Sequence, residues 1–173
     1  KLDCRGPDNK EYFVDTEKKF YLGHTRLSIM DLSQHSNQPI SSLNKDLVMV
    51  FNGEIYNHSE LYDRIANLNL PEDVQKSDTR TLLEHIYYFG LSETLKIVNG
   101  MFAIGLYDFK KKKLHLARDY WGKKPIYYFF NNEKIFFSST ISPIIESKII
   151  PNTINAFALN EYFQQGYIVG HEG

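Results

Sequence analysis

Between Met101 and Ser139 the chain holds two strand pairs in succession: MFAIGLYDF answered by KLHLARD, then PIYYFF answered by KIFFSS. The first pair turns through the basic run Lys110 to Lys113 and the second through Asn131 and Asn132. Apolar runs closed by such short polar turns pair antiparallel with their own neighbour. A chain containing this stretch cannot fold as a helical bundle, and any helices it forms must pack on a sheet. Upstream, EYFVD and KFYLGHTRLSI alternate as strands do, DLVMVF is a short buried-strand run, and SQHSNQPISSLNKD between them is expected to be loop.

Helical signals fall between and after these strands. Asn57 followed by Glu60 has the form of a capping box, with Leu61, Ile65 and Leu68 on one face behind it and Pro71 ending the segment. A second helix, TRTLLEHIYYF, is capped by Ser77 or Asp78, turns Leu82, Leu83, Ile86 and Phe89 inward and stops at Gly90. A last helix follows Pro151, capped by Asn155 and stopped at Gly166. Strands first, then helices, then strands again make an α+β chain with largely antiparallel sheets.

Composition excludes several function classes. With 173 residues, 42% hydrophobic and 24% charged, the chain is the size of one ordinary globular domain. A net charge of -1 creates no field for a polyanion, so a nucleic-acid partner is not expected. No apolar run is long enough to span a bilayer, and one cysteine, Cys4, makes no internal disulfide, so a cytoplasmic location is expected. The six histidines show no pairing on one helix face and no phosphate-binding glycine loop occurs, so neither a metal nor ATP is expected in this domain.

Three stretches carry polar residues that strand and helix logic does not require: GHTRLSI, FNGEIYN and KSDTRT. Asn52–Gly53 reads either as a tight hairpin or as a turn ending a strand, with the Gly53 N–H and the Asn52 amide aimed at one spot as an oxyanion requires. Arg26, at an apolar strand end, is either a salt-bridged surface residue or a bidentate partner for a carboxylate. Asp78 is a helix cap or an acceptor for a cationic amine. His24, beside Arg26, reads as a structural strand residue. Together Arg26, Asp78 and the Asn52/Gly53 donors suit an amino acid with a side-chain amide.

The blocks RGPD, LGHTRLSIMDLS with Gln38–Pro39, FNGEIYN, SDT, NGMFAIGLYD and LARDYWGKKPIYY resemble, in order, the N-terminal class II glutamine amidotransferase domain of glutamine-hydrolysing asparagine synthetases. The resemblance implies a four-layer αββα sandwich of N-terminal-nucleophile hydrolase type, here lacking its first strand. It covers residues 1–150, with 151–173 a connector toward a synthetase domain. It implies that Arg26 binds the glutamine carboxylate and that Leu27, Ser28, Ile29 and Met30 continue the binding loop. Asn52 and Gly53 form the oxyanion hole, Glu54 is a further glutamine contact and Asp78 holds the substrate ammonium. The family's nucleophile is an N-terminal cysteine that uses its own α-amine as base. Cys4 follows three residues and stands where the family usually has histidine, so it is not expected to be that nucleophile. The polypeptide by itself is expected to be inactive. ATP and Mg are expected only in the synthetase domain. The partners expected are glutamine, that synthetase domain and a second copy in a homodimer. Two further readings stand beside this one: a non-catalytic relative that keeps the fold without the nucleophile, and another class II amidotransferase, which usually has TRW or TRY where this chain has TRLSIMDLS.

Overall fold

The computed structural model describes residues 9–17, 19–26, 37–148, 150 and 153–169. Among these residues eight strands and six α-helices follow one another: β1 (Asn9–Asp15), β2 (Phe20–Arg26), β3 (Ile40–Ser41), β4 (Leu47–Ile55), α1 (His58–Asp63), α2 (Glu72–Lys76), α3 (Asp78–Phe89), α4 (Leu91–Ile97), β5 (Gly100–Asp108), β6 (Lys113–Arg118), β7 (Tyr127–Phe130), β8 (Ile135–Ser138), α5 (Ser142–Glu146) and α6 (Ala156–Gln165). All pairings are antiparallel. A four-stranded sheet runs in the order β3-β4-β5-β6, and β1-β2 and β7-β8 form two hairpins. Both strand pairs of the 101–139 region therefore form as expected, with Asp108 opposite Lys113 and Tyr127 opposite Ser138. Lys110 to Lys113 lie at the first turn, where Lys110 reaches Asp46 at 2.6 Å and Lys111 reaches Asp108 at 3.6 Å.

Alternation along β4 and β5 sorts their side chains onto two faces. Met49, Phe51, Ile55, Phe102, Ile104 and Leu106 pack with Leu82, Leu83 and Ile86 of α3 in one buried cluster. The opposite face receives the hairpins. Phe20 of β2 stacks on Tyr107 with centroids 4.2 Å apart, and the Phe137 ring of β8 lies over Gly105. The four-stranded sheet is thus an inner layer, with helices on one side and hairpins on the other.

Several local expectations are corrected. Ile40–Ser41, within the expected loop, pairs with Met49 and Val48 because Ile40 is buried against the core. Asn57 precedes α1 but makes no capping bond. Its amide instead donates to the Ile97 carbonyl at 3.0 Å and accepts from the Asn99 N–H at 2.8 Å, joining α1 to the entry of β5. α1 stops at Asp63; Leu61 within it and Ile65 just beyond it are buried, while Leu68, at the end of the 3-10 turn Ala66–Leu68, is exposed. Pro71 ends one segment but also opens α2, a five-residue helix held by the Arg80–Asp73 ion pair at 3.0 Å. Ser77 caps α3, and Phe89 lies half-exposed at its end, stacked on His85. Gly90, with φ 85°, stops α3 as expected, yet α4 starts at the next residue. Asn155 caps α6 through the N–H groups of Phe157 and Ala158, and Gly166 closes it with φ 81°.

His85 gives the fold a testable acid sensitivity. Its Nδ1 lies 2.9 Å from the Thr94 hydroxyl, which donates to the Gly90 carbonyl at 2.8 Å. The hydroxyl proton is therefore spent, so Nδ1 carries the hydrogen and the imidazole is neutral, with Nε2 buried and lacking a partner. Burial lowers its pKa below the ordinary 6.5, and the charge of Arg64 lowers it further. The native state then binds fewer protons than the unfolded chain below the ordinary histidine value, so stability falls as pH drops from 7.5 and levels off once the folded-state value is passed. Urea unfolding between pH 7.5 and 5 should show this slope. His85→Asn should flatten it while lowering stability at pH 7.5 by about 1 kcal/mol.

Candidate active site

The site grows from the free edge of β4. In an antiparallel strand, successive N–H groups alternate between the two edges. Phe102 of β5 spends both main-chain groups on the far side: its carbonyl accepts from the Asp119 N–H at 2.8 Å and its N–H donates to Asp119 Oδ2 at 3.2 Å. Gly53, which faces Phe102 in the register, therefore receives no bond from β5. Its neighbours along the strand agree, since Phe51 N–H donates outward to Gln38 Oε1 at 2.5 Å and Ile55 N–H outward to Asp78 Oδ2 at 3.0 Å. The Gly53 N–H points to the same edge, between those two, and has no partner among the described residues. Among the described residues it is a backbone donor left open.

Glycine is required at this position by close approach. A Cβ on Gly53 would overlap the Met101 carbonyl oxygen and stand 2.7 Å from Phe102 Cα, both main-chain atoms that no rotamer change can move. Asn52–Gly53 is accordingly neither a hairpin nor the turn that ends a strand: β4 continues straight through it to Ile55. The strand edge, rather than a turn, presents the Gly53 N–H.

Beside that edge lies a cleft of about 170 Å³ between the four-stranded sheet and the hairpins. His24 and Thr25 of β2, Asn52 of β4, Ala103 of β5, and Pro125 and Phe137 line it. Asn52 is thus brought to the end of β2, whose next and last residue is Arg26. His24 is a strand residue as expected, and it also lines the cleft. Glu54 follows Gly53 on β4, part-exposed and opposite Met101. Leu27, Ser28, Ile29 and Met30 lie outside the described residues, as does Cys4.

Asp78 is placed by the start of α3, where it is part-buried and tied to β4. Besides accepting from Ile55, it accepts through Oδ1 from the Thr79 N–H at 2.6 Å and the Thr79 hydroxyl at 3.1 Å. A carboxylate offers about four acceptor sites, so one is left over for a cation. A second groove of about 730 Å³ runs between the end of α3 and the β5-β6 turn. Lys110 and Lys111 there are already paired, and none of Arg26, Asn52, Gly53, Glu54 and Asp78 lines it, so its greater volume does not make it the better site.

Two residues important here were quoted in sequence blocks without being assigned to the site. Gln38 is buried and holds Phe51. Asp119, 4% exposed, holds Phe102 and also accepts from the N–H groups of Lys123 at 2.9 Å and Lys124 at 3.0 Å, just before the cleft-lining Pro125. Burial pushes its carboxyl up, but the N–H donors of Lys123, Lys124, Phe102 and Trp121 outweigh that and hold it below the ordinary aspartate value. Among the described residues no cluster suited to a metal ion occurs, and no helix is long and apolar enough to cross a membrane.

A family model for the glutamine amidotransferase domain matches residues 1–172. The chain belongs to the glutamine amidotransferase domain family. This amidotransferase domain is 35% identical over 95% of its length to a putative glutamine-hydrolysing asparagine synthetase 2 of Methanocaldococcus jannaschii, covering 34% of that protein. It is 32% identical over 89% of its length to glutamine-hydrolysing asparagine synthetase 2 of Bacillus subtilis, covering 20%. The amidase chry2 of Gibberella zeae is 31% identical over 85%, with 22% of that protein covered. The chain thus spans a fifth to a third of the length of these relatives. Its match to them places the amidotransferase domain within their longer polypeptides.

Proposed function

We propose that this domain is the glutaminase part of an asparagine synthetase-like enzyme, hydrolysing glutamine to glutamate and ammonia for ATP-dependent amide formation on aspartate. The observation that carries this reading is the open Gly53 N–H at the β4 edge, with Asn52 before it in the cleft and the Asp78 carboxylate one step further along. A glutamine laid across that edge has its carboxamide oxygen at the Asn52 and Gly53 donors and its ammonium at Asp78. Arg26 takes the α-carboxylate, Leu27 to Met30 continue the loop around it, and Glu54 adds a contact.

The chemistry asked of this chain is electrostatic. A cysteine thiol attacks the carboxamide carbon, negative charge develops on the oxygen, and two donors fixed in advance stabilise it without reorganising. Ammonia leaves a thioester, and water then releases glutamate. The resemblance assigns that thiol to an N-terminal cysteine rather than to Cys4. ATP and Mg belong, in this reading, to a synthetase domain reached through the segment 151–173, with 1–150 as the glutaminase unit and a homodimer as the expected assembly.

The layering supports the finer fold assignment as well. Helices α1 to α4 lie on one face of the β3-β4-β5-β6 sheet, the two hairpins on the other, and α5 packs against β8. With the two hairpins taken together as a second sheet layer and α5 beyond it, this order of layers supports the αββα reading.

Asp78→Asn in the full-length protein should raise the glutamine KM about tenfold, the worth of one charge-assisted bond, and leave synthesis from free ammonia unchanged. Arg26→Ala should do the same. Parallel steady-state assays with glutamine and with ammonium as nitrogen source test this, and equal loss of both activities would sink the pocket assignment.

A further inference from the structure

The outward N–H groups of β4 are capped in turn by different partners. Leu47 donates to the Ser42 hydroxyl at 3.0 Å, Met49 faces Ile40 of β3, Phe51 donates to Gln38 and Ile55 to Asp78. Only Gly53, among these, has no partner among the described residues. β3 ends at Ile40, short of Gly53. The β3-β4 register, continued past Ile40, sets Pro39 opposite Val50 and Gln38 opposite Phe51. A main chain that stayed in this register would next cover Gly53.

It does not stay. At Gln38 the bond to Phe51 is made by the side chain, so the backbone has already left the edge, and Asn37 reaches Glu11 of β1 at 2.7 Å. Gln38 is 8% exposed and Pro39 has no N–H to offer. The carboxamide therefore replaces one rung of the ladder and ends it. Its Nε2 has no partner among the described residues.

We propose that Gln38 is a positioning residue for the oxyanion donor: by capping Phe51 with its side chain it ends strand pairing one rung early. It thereby fixes the β4 edge on which the neighbouring Gly53 N–H, about 7 Å along, is presented. This rests on the glutaminase reading of the site. Gln38→Met, unbranched and of similar length but without the acceptor, leaves Phe51 N–H uncapped and lets that edge shift.

The test uses the full-length enzyme with glutamine, and with glutamate γ-semialdehyde as a probe whose hemithioacetal with the thiol sets its oxygen where the oxyanion forms. Gln38→Met should lower kcat for glutamine hydrolysis on the order of tenfold with KM within twofold, and weaken semialdehyde affinity by the same factor. A mere loss of folded enzyme would move neither KM nor that affinity. Gln38→Glu keeps the acceptor and should bind the semialdehyde more tightly than Gln38→Met does. Unchanged semialdehyde affinity in Gln38→Met, or a raised KM at unchanged kcat, overturns the proposal. If Asp78→Asn raises KM as expected while Gln38→Met leaves kcat alone, Gln38 is misassigned and the glutaminase reading stands. A wild-type enzyme that releases no ammonia from glutamine overturns both.

Discussion

Gly53→Ala should reduce glutamine-dependent kcat/KM in the full-length enzyme by a hundredfold or more, the scale on which losing one oxyanion donor is felt. The added methyl meets the Met101 carbonyl oxygen and Phe102 Cα, so relief can come only from β4 moving away from β5. That motion displaces the N–H proposed as the oxyanion donor and opens the sheet where Phe51 and Ile55, both buried, join the core. Overpacking of this kind costs about 1–3 kcal/mol, so the denaturation midpoint in urea should fall together with the activity. Gly23 supplies the comparison, because a Cβ there meets no atom within 4 Å. Gly23→Ala should change stability by less than about 0.5 kcal/mol. If both variants unfold at the wild-type midpoint, the close approach at Gly53 is not what selects glycine.

The same residue marks the limit of what local sequence conveys. Asn-Gly after an apolar run is the strongest short-range sign of a hairpin, yet β4 passes through it unbent. The reason is tertiary: glycine is needed for the nearness of β5, 49 residues away in the register from Gly53 to Phe102. Asn57 misleads in the same way, since its side chain reaches the Glu60 carboxylate, the Ile97 carbonyl and the Asn99 N–H but caps no main-chain N–H of its own helix. Helices α2 and α4, of five and seven residues, are too short for a helical period to stand out. Strands were legible where an apolar run met a turn on both sides, as at β5 to β8. Within the site, Asn52 and Asp78 stood out because neither strand nor helix logic required them. Gln38 and Asp119 did not, because each is spent on a main-chain N–H 13 or 17 residues away, and no local pattern records such a bond.

Asp119 carries the second large effect. Its carboxylate accepts the N–H groups of Phe102, Lys123 and Lys124, with a further one from Trp121, so Asp119→Ala strands several donors at once. Each buried donor left alone costs about 1–3 kcal/mol, and even with water reaching the 120–124 loop the total should be about 3 kcal/mol. Asp119→Asn, which keeps one acceptor oxygen, should lose less. The two walls held together are Phe102, opposite Gly53, and the loop leading to Pro125 in the cleft, so the glutamine KM should rise with the loss of stability. Acid gives an independent check. The native carboxyl titrates below the unfolded value of 3.8, so the native state binds fewer protons than the unfolded chain through that window. Its contribution is complete above the unfolded value and is lost as pH falls through the folded one. Wild type should therefore lose stability more steeply than Asp119→Ala below about pH 4. Urea unfolding at pH 7 and pH 3 on both proteins decides it: parallel pH slopes would mean that Asp119 is not what ties Phe102 to the loop.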